Sequence, residues 1–310
     1  MKPMRKFIES LGLPSGDLLD CPDSPLRFPD GGQYRIEIPS TEGPRSLAAV
    51  LDEAKIRHVP VHRVSQGSGI MLMTDDEISE MLEIGREAGI EVNLFLGPRA
   101  SFDIGAQVYS PAGKSLGLAV RGADQLLASA LDIKRATGLG LRSVLVSDIG
   151  ALQVIAQMRS AGELPADLII KTSVMMAPAN PASARVIETL GADTINIPSD
   201  LTIPQIAAIR ATIKVPIDFY VEAPDNIGGF IRYYDIPDLI RVTAPIYLKF
   251  GLRNAPDVYP SGTHIENTVV ALSRERVRRA QIAKEMIERH APTAIMSPLK
   301  AKDLGVPAAV

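Results

Sequence analysis

The 310-residue sequence contains no tryptophan, and its only cysteine is Cys21. A single cysteine excludes an internal disulfide framework, a cysteine-ligated iron–sulfur cluster and a cysteine-rich zinc site. No stretch approaches the roughly 20 consecutive apolar residues of a membrane span. Met1–Leu13 also lacks the apolar core of a signal peptide. We therefore expect a cytoplasmic protein that does not associate with membranes.

The sequence also has little net charge of either sign. The 33 Lys and Arg residues nearly balance the 36 Asp and Glu residues, giving a net charge of −3. This balance argues against nucleic acid as a partner. One local basic run, Arg274–Arg279, has helical spacing and is expected to form a solvated face or a subunit contact. The expected partners are a small anionic substrate and further copies of the chain, since barrels of this size often dimerise.

Eight short apolar runs recur along the chain, and polar residues fall on alternate positions within nearly all of them. A strand turns successive side chains to opposite faces, so each run predicts a strand with one apolar and one polar face. Amphipathic helical patterns separate the runs. The sequence predicts an α/β fold, a (β/α)8 TIM-type barrel, with strands centred near Glu37, Val61, Val92, Val146, Ile169, Ile195, Phe219 and Leu248.

The spacing of the runs also predicts the domain organisation. Residues 1–32 form an N-terminal extension that wraps the barrel bottom or a neighbouring subunit, 33–291 the barrel, and 292–310 a C-terminal tail. The gap between the third and fourth runs is about twice the usual 25–30 residues of one βα unit. We interpret 97–122, with the cations Arg99, Lys114 and Arg121, as an inserted hairpin or lid. A ninth strand is the competing interpretation.

Barrel enzymes carry their catalytic groups at the carboxyl ends of the strands. Burying several charges costs several kcal/mol per ion, which favours a functional explanation for the lumenal charges over a purely structural ion network. That network remains an alternative, because two glutamates and two lysines among the candidates are formally neutral together. The candidate catalytic residues are Glu37, His62, Lys171, Glu222 and Lys249, and the candidate substrate-binding residues are Arg63, Asn93, Arg99 and Asn196.

Three of these candidates could hold a metal. His62, Glu37 and Glu222 would bind a divalent ion with open positions. The same three could instead form a general base with its orienting partners. The sequence alone leaves the cofactor unknown.

Lys171 offers a different chemistry. A desolvated lysine beside a second cation, here Lys249, has a lowered pKa and becomes a competent amine nucleophile. The triplet Lys171-Thr-Ser resembles the active-site triplet of deoxyribose-phosphate aldolases, and that resemblance implies a Schiff-base lysine.

Anion binding is indicated by the loops after the seventh and eighth runs, where barrels commonly bind phosphate or carboxylate. Gly228 and Gly229 would let a backbone approach a ligand, and Arg253 and Asn254 follow the next strand. The alternative is that the two glycines only form a turn. The glycine-rich segment 65–69 is equally ambiguous.

The segment Gly191-Ala-Asp-Thr-Ile-Asn-Ile-Pro-Ser-Asp-Leu-Thr-Ile-Pro-Gln-Ile resembles a strand–helix step of peptidase family U32. Asp218-Phe-Tyr-Val-Glu resembles that family's next strand. The resemblance covers Leu168–Glu222 and implies a barrel with hydrolase activity. Two departures stand out: the family's cysteine-containing stretch is absent, and Glu222 occupies the position of its histidine.

Three functions therefore remain open. The first is a hydrolase-like enzyme in which Glu222 and Glu37 exchange protons and His62 assists. The second is a Schiff-base lyase or aldolase using Lys171. The third is a non-catalytic ligand-binding barrel whose polar lumen is a filled network.

Overall fold

A computed structural model describes residues 1–102, 108, 110, 113 and 117–310. Eight parallel strands pair in chain order and close into a barrel, which confirms the predicted fold. The strands are β1 (Tyr34–Pro39), β2 (Arg63–Ser65), β3 (Glu91–Phe95), β4 (Ser143–Val146), β5 (Ile169–Thr172), β6 (Thr194–Asn196), β7 (Ile217–Glu222) and β8 (Ile246–Phe250).

Helices follow the strands and cover the outside of the barrel. The described residues form α1 (Lys2–Ser10), α2 (Pro44–Arg57), α3 (Asp75–Ala88), α4 (Gly122–Gly138), α5 (Ile149–Ser160), α6 (Pro181–Thr189), α7 (Ile203–Arg210), α8 (Ile236–Thr243) and α9 (Glu266–His290). None of the helices in this part of the chain is long and apolar enough to cross a membrane.

Local sequence signals fix where two of these helices begin. The Thr74 hydroxyl accepts the amide of Glu77, whose carboxylate accepts the Thr74 amide, so a capping box opens α3. Thr202 and Gln205 form the same motif before α7. Each cap satisfies amides that have no partner within the helix. These starts orient the helices so that their apolar stripes pack on the outward strand residues, which form the core.

The predicted insertion after β3 is described only at its ends. A short 3-10 helix spans Ala100–Phe102. The amide of Ala100 donates to the carbonyl of Ala119, and the amide of Ser101 donates to that of Gly117. Most residues between these ends, Lys114 among them, lie outside the described residues, and the hairpin or lid stays a prediction.

Both chain ends close the amino-terminal end of the barrel, its floor. Phe28 from the N-terminal extension packs edge-on against Tyr247 of β8. From residues 292–310, the Ser297 hydroxyl accepts a hydrogen bond from Arg35, and Asp303 pairs with the same guanidinium at 2.7 Å. Residues predicted as an extension and a tail therefore supply part of the packing at the barrel floor.

Candidate functional site

The centre of the lumen is a carboxylate surrounded by three cations. Arg63 lies 2.6 Å from Oε2 of Glu37, while Lys171 donates a short hydrogen bond to Oε1 and Lys249 lies 3.3 Å from it. The Ser65 hydroxyl also donates to Oε1 at 2.7 Å and accepts from Lys171 at 3.0 Å. The alternation of side chains along β1, β2, β5 and β8 brings these residues to one level inside the barrel.

Arg63 connects this cluster to a deeper layer. Its guanidinium donates to Asp218 and lies 3.5 Å from Glu91, and it stacks 3.5 Å above the Tyr247 ring. Three acids thus match three cations, so the lumen is formally neutral. Arg63, proposed from the sequence to bind substrate, is completely enclosed by these partners.

The charges perturb one another strongly. Burial and the neighbouring cations Arg63 and Lys249 lower the pKa of Lys171 well below its usual value, against the opposing pull of Glu37. Burial alone would raise the pKa of Glu37, but the three cations hold it well below its usual range. The pair therefore consists of a firmly ionised carboxylate beside an amine that loses its proton readily.

Two amides extend the cluster. Asn196 accepts a hydrogen bond from Lys249 at 2.9 Å and donates to the Thr172 carbonyl at 2.6 Å. Asn93 donates to the Ser143 hydroxyl at 2.7 Å. Asn196 lies two residues beyond the register partner of Lys171 on β6, toward the carboxyl ends of the strands. It therefore lies between the buried amine and the barrel mouth.

The model of peptidase family U32 matches residues 120–223, which run from the start of α4 to just past the end of β7. The chain is U32-like. The matched segment supplies Lys171, Asn196 and Asp218 to the lumen. No curated protein matches the sequence significantly.

Solved structures resemble the U32-like barrel at low identity. The U32 peptidase Mk0906 is 17% identical, with a TM-score of 0.43 over 73% of this chain and 96% of that one. A candidate fructose-1,6-biphosphate aldolase from Coccidioides immitis is 12% identical, with a TM-score of 0.51 over 83% and 90%. A 3-hexulose-6-phosphate synthase is 13% identical, with a TM-score of 0.40 over 80% and 97%. At such identities the likeness shows the fold alone.

Glu222 of the U32-like barrel does not face the lumen, which corrects the expectation from strand parity. The register between β7 and β8 shifts between Tyr220 and Glu222. Tyr220 pairs with Lys249 on the lumenal face, but after the shift Glu222 pairs with Phe250. A bulge inserts one residue and reverses the alternation beyond it, so Glu222 shares the outward face of Phe250.

The partners of Glu222 agree with that position. Its carboxylate accepts the Tyr233 hydroxyl at 2.8 Å and the Arg253 amide at 3.0 Å. Arg279 of α9 lies 3.7 Å away. Glu222 therefore ties the loops above β7 and β8 to the outer helices, away from the Glu37 cluster.

His62 lies at the floor, because β2 begins at Arg63 rather than being centred on Val61 as predicted. Its Nδ1 accepts the Ile36 amide at 3.2 Å, and its Nε2 donates to the Ser297 carbonyl at 2.9 Å. Burial lowers the pKa of His62 to about 4. A neutral imidazole with both nitrogens engaged stabilises the floor.

The suggested metal site is therefore not assembled. His62, Glu37 and Glu222 point to the floor, the lumen and the outer layer. Across the described residues, no group of three or more His, Cys, Asp or Glu side chains could hold a metal ion.

The glycine pair after β7 forms a turn whose amides are already used. Gly228 and Gly229 have φ of +109° and +65°, which favours glycine, and both amides donate at 3.1 Å to carbonyls of the same loop. Asp225 binds the Asn254 amide at 2.6 Å, and Arg253 lies 3.5 Å from it. The loop folds around Asp225, and neither glycine amide is available to donate a hydrogen bond to an anion.

Arg99 is buried above the lumen, where it donates to the carbonyls of Gly67 and Ser68 and stacks on the Phe95 ring. Burial lowers its pKa to about 10. Gly67 has no room for a side chain, because a Cβ would lie 2.3 Å from the Tyr259 ring. The glycine-rich segment after β2 thus packs against Tyr259.

Three lumenal partners are not among the candidate site residues predicted from the sequence: Ser65, Glu91 and Asp218. Each lies on the lumenal face of a strand. Glu91 shares the face of Asn93, and Ser65 that of Arg63. The alternation that identified the other residues would also have identified these once the start of β2 was known.

Proposed function

We propose that this chain is an enzyme that uses the Lys171 amine to form a Schiff base with a small anionic carbonyl compound. The observation that carries the proposal is the lumenal cluster of three cations on the single carboxylate of Glu37. Desolvation and a second cation are the conditions that make a lysine nucleophilic near neutral pH.

Glu37 and Lys249 carry the proton transfers that Schiff-base formation requires. Lys171 reacts as the neutral amine, after its ammonium proton has passed to solvent. As Nζ bonds to the carbonyl carbon, one of its two remaining protons passes through Glu37 to the former carbonyl oxygen. Lys249 protonates that hydroxyl, which leaves as water and gives a protonated imine. The imine then accepts the electron pair of an adjacent C–C or C–H bond, which corresponds to lyase or aldolase chemistry.

Access to the amine sets a structural requirement. Lys171 is fully buried, and Asn196, which lies further toward the mouth on β6, accepts a hydrogen bond from Lys249. A substrate entering from the carboxyl ends of the strands must break that bond. Lys249 is then free to pair with the anionic group of the substrate.

The hydrolase hypothesis has less support. It required Glu37, Glu222 and His62 to act together, and they contact different layers of the barrel. The non-catalytic alternative is favoured by one observation, the pairing of every ion in the cluster. The following experiment distinguishes it from the Schiff-base proposal.

The test is borohydride trapping with a panel of small oxo acids and aldehydes, followed by peptide mapping. We expect a reduced adduct on Lys171 with at least one compound. Lys171→Arg keeps the positive charge and should abolish the adduct, whereas Lys134→Arg, at an exposed site on α4, should leave it unchanged. Labelling confined to exposed lysines would contradict the proposal and favour the non-catalytic alternative.

A further inference from the structure

Arg276 of α9 belongs to the basic run that sequence analysis placed on a solvated or subunit-contacting face, but it is 4% exposed. Its single hydrogen bond among the described residues runs from Nη1 to the Ser40 carbonyl at 3.2 Å. Its buried Nε has no partner there. A guanidinium carries five donors and is ordinarily satisfied when buried.

The charge of Arg276 is also unpaired. No carboxylate of the described residues lies within the 4.0 Å of an ion pair. The buried Glu42 carboxylate acts on Arg276 only through longer-range charge attraction, because its oxygens accept the amides of Gly67 at 2.6 Å and Ser68 at 3.1 Å. A buried charge without a direct ion pair is costly, and a water molecule could satisfy the donors but would not provide that pair.

A cavity adjoins this side chain. It has a volume of about 190 Å³ and is lined by Arg276, Ser40, Ala255 and Tyr259, among others. It opens above the carboxyl ends of β1, β7 and β8, outside the Glu37 cluster. Because one water occupies about 30 Å³, the cavity has room for a small molecule.

Two acidic side chains also line the cavity, and each has its own partners. Asp225 is bound by the Asn254 amide and lies near Arg253. Asp257 accepts the Tyr259 amide at 3.1 Å. Neither carboxylate pairs with Arg276, the one cation among the described lining residues.

We propose that Arg276 binds a small oxyanion, a carboxylate or a phosphate group, in this cavity. The planar guanidinium matches both groups through two parallel hydrogen bonds. Bound there, the anion accepts hydrogen bonds from the free donors of Arg276 and forms the direct ion pair that the guanidinium lacks. The site is independent of the Lys171 chemistry, since binding requires no turnover.

The test is isothermal titration of the whole chain with orthophosphate and, separately, with malonate, in a buffer without other oxyanions. We expect saturable binding of at least one, and the two titrations identify which group is preferred. Arg276→Met should weaken that binding at least tenfold. Arg274→Met, which removes an exposed cation from the same helix, should leave it unchanged.

A second variant keeps the test decisive if Arg276→Met does not fold. Ala255→Leu fills the cavity while Arg276 stays intact, and it should also weaken binding at least tenfold. The proposal is overturned if neither anion binds saturably. Equal binding by the wild type and the two cavity variants would also overturn it, since it would indicate an adventitious ion only. A negative titration leaves the trapping experiment on Lys171 unaffected, and a negative trapping result leaves this site unaffected.

Discussion

Lys171 and Lys249 bind the same oxygen atom, Oε1 of Glu37. Two ammonium groups at one oxygen repel each other, and Arg63 on Oε2 adds a third positive charge. Within the part of the chain that the structure describes, Glu37 is the only lumenal acid that contacts all three cations. Its charge therefore holds the centre of the barrel together.

Glu37→Gln should destabilise the protein severely. It preserves the volume but leaves three buried cations without their shared counter-charge, and such a loss costs about 3–5 kcal/mol. Urea unfolding measures the difference. Glu83→Gln removes an exposed partner of Arg86 on α3 and should change stability little, because solvent screens exposed ion pairs. A Glu37→Gln variant as stable as this control would show that the charge of Glu37 does not stabilise the barrel.

Lys249→Met should move Schiff-base formation to higher pH. Lys249 is one of the cations that lower the pKa of Lys171, so its removal raises that pKa and the neutral amine forms only in more alkaline solution. The measurement is the rate of borohydride-trapped adduct as a function of pH. Lys249→Arg keeps the charge and should keep the wild-type pH at which the rate rises, although both variants lose the Lys249 proton donor and form the adduct more slowly. A profile unchanged in Lys249→Met would exclude Lys249 as the tuning group.

Glu222→Gln should affect stability rather than trapping. A neutral amide accepts the Tyr233 hydroxyl or the Arg253 amide less strongly and does not pair with Arg279, so we expect a loss of about 1–3 kcal/mol. Glu275→Gln removes a half-buried partner of the same Arg279 and should cost less. If Glu222→Gln abolished the Lys171 adduct while remaining fully stable, Glu222 would belong to the chemistry after all.

His62 should make the protein less stable in mild acid. The unfolded chain binds a proton at this histidine below about pH 6.5, whereas burial holds the native pKa at about 4. Between these values the unfolded state binds more protons, so stability falls as the pH drops through this window, by up to about 3 kcal/mol.

The variant His62→Gln should flatten that part of the curve of unfolding free energy against pH. His290→Gln, at the exposed end of α9, should leave the slope as it is. An identical slope in His62→Gln and wild type would assign the acid sensitivity to other groups.

Strand alternation predicted much of the lumen and failed for identifiable reasons. It placed Glu37, Lys171 and Lys249 correctly because their strands are regular from one end to the other. It failed at Glu222 because a one-residue bulge reverses the parity, and hydrophobicity alone does not indicate where a bulge lies. At His62 it failed because the start of β2 was placed too early.

Contacts between segments that are distant in the sequence could not be predicted from periodicity or motifs. The partners of Arg35 and His62 come from residues 292–310, and no periodicity links those residues to β1. Arg276 was likewise hidden, because helical spacing alone does not show that a loop will cover one arginine of a basic run. The covering loop carries Tyr259, whose ring packs on Gly67.

The floor of the barrel also imposes an order on its synthesis. Arg35 in the first strand binds Ser297 and Asp303, which follow it by 262 and 268 residues and are therefore synthesised much later. While the ribosome is still making the later strands, this cation has only part of its final set of acceptors. A chain that stops before Ser297 leaves both Arg35 and His62 without part of their hydrogen bonds. We expect such truncated chains to be more open at the barrel floor and therefore more easily cleaved by proteases.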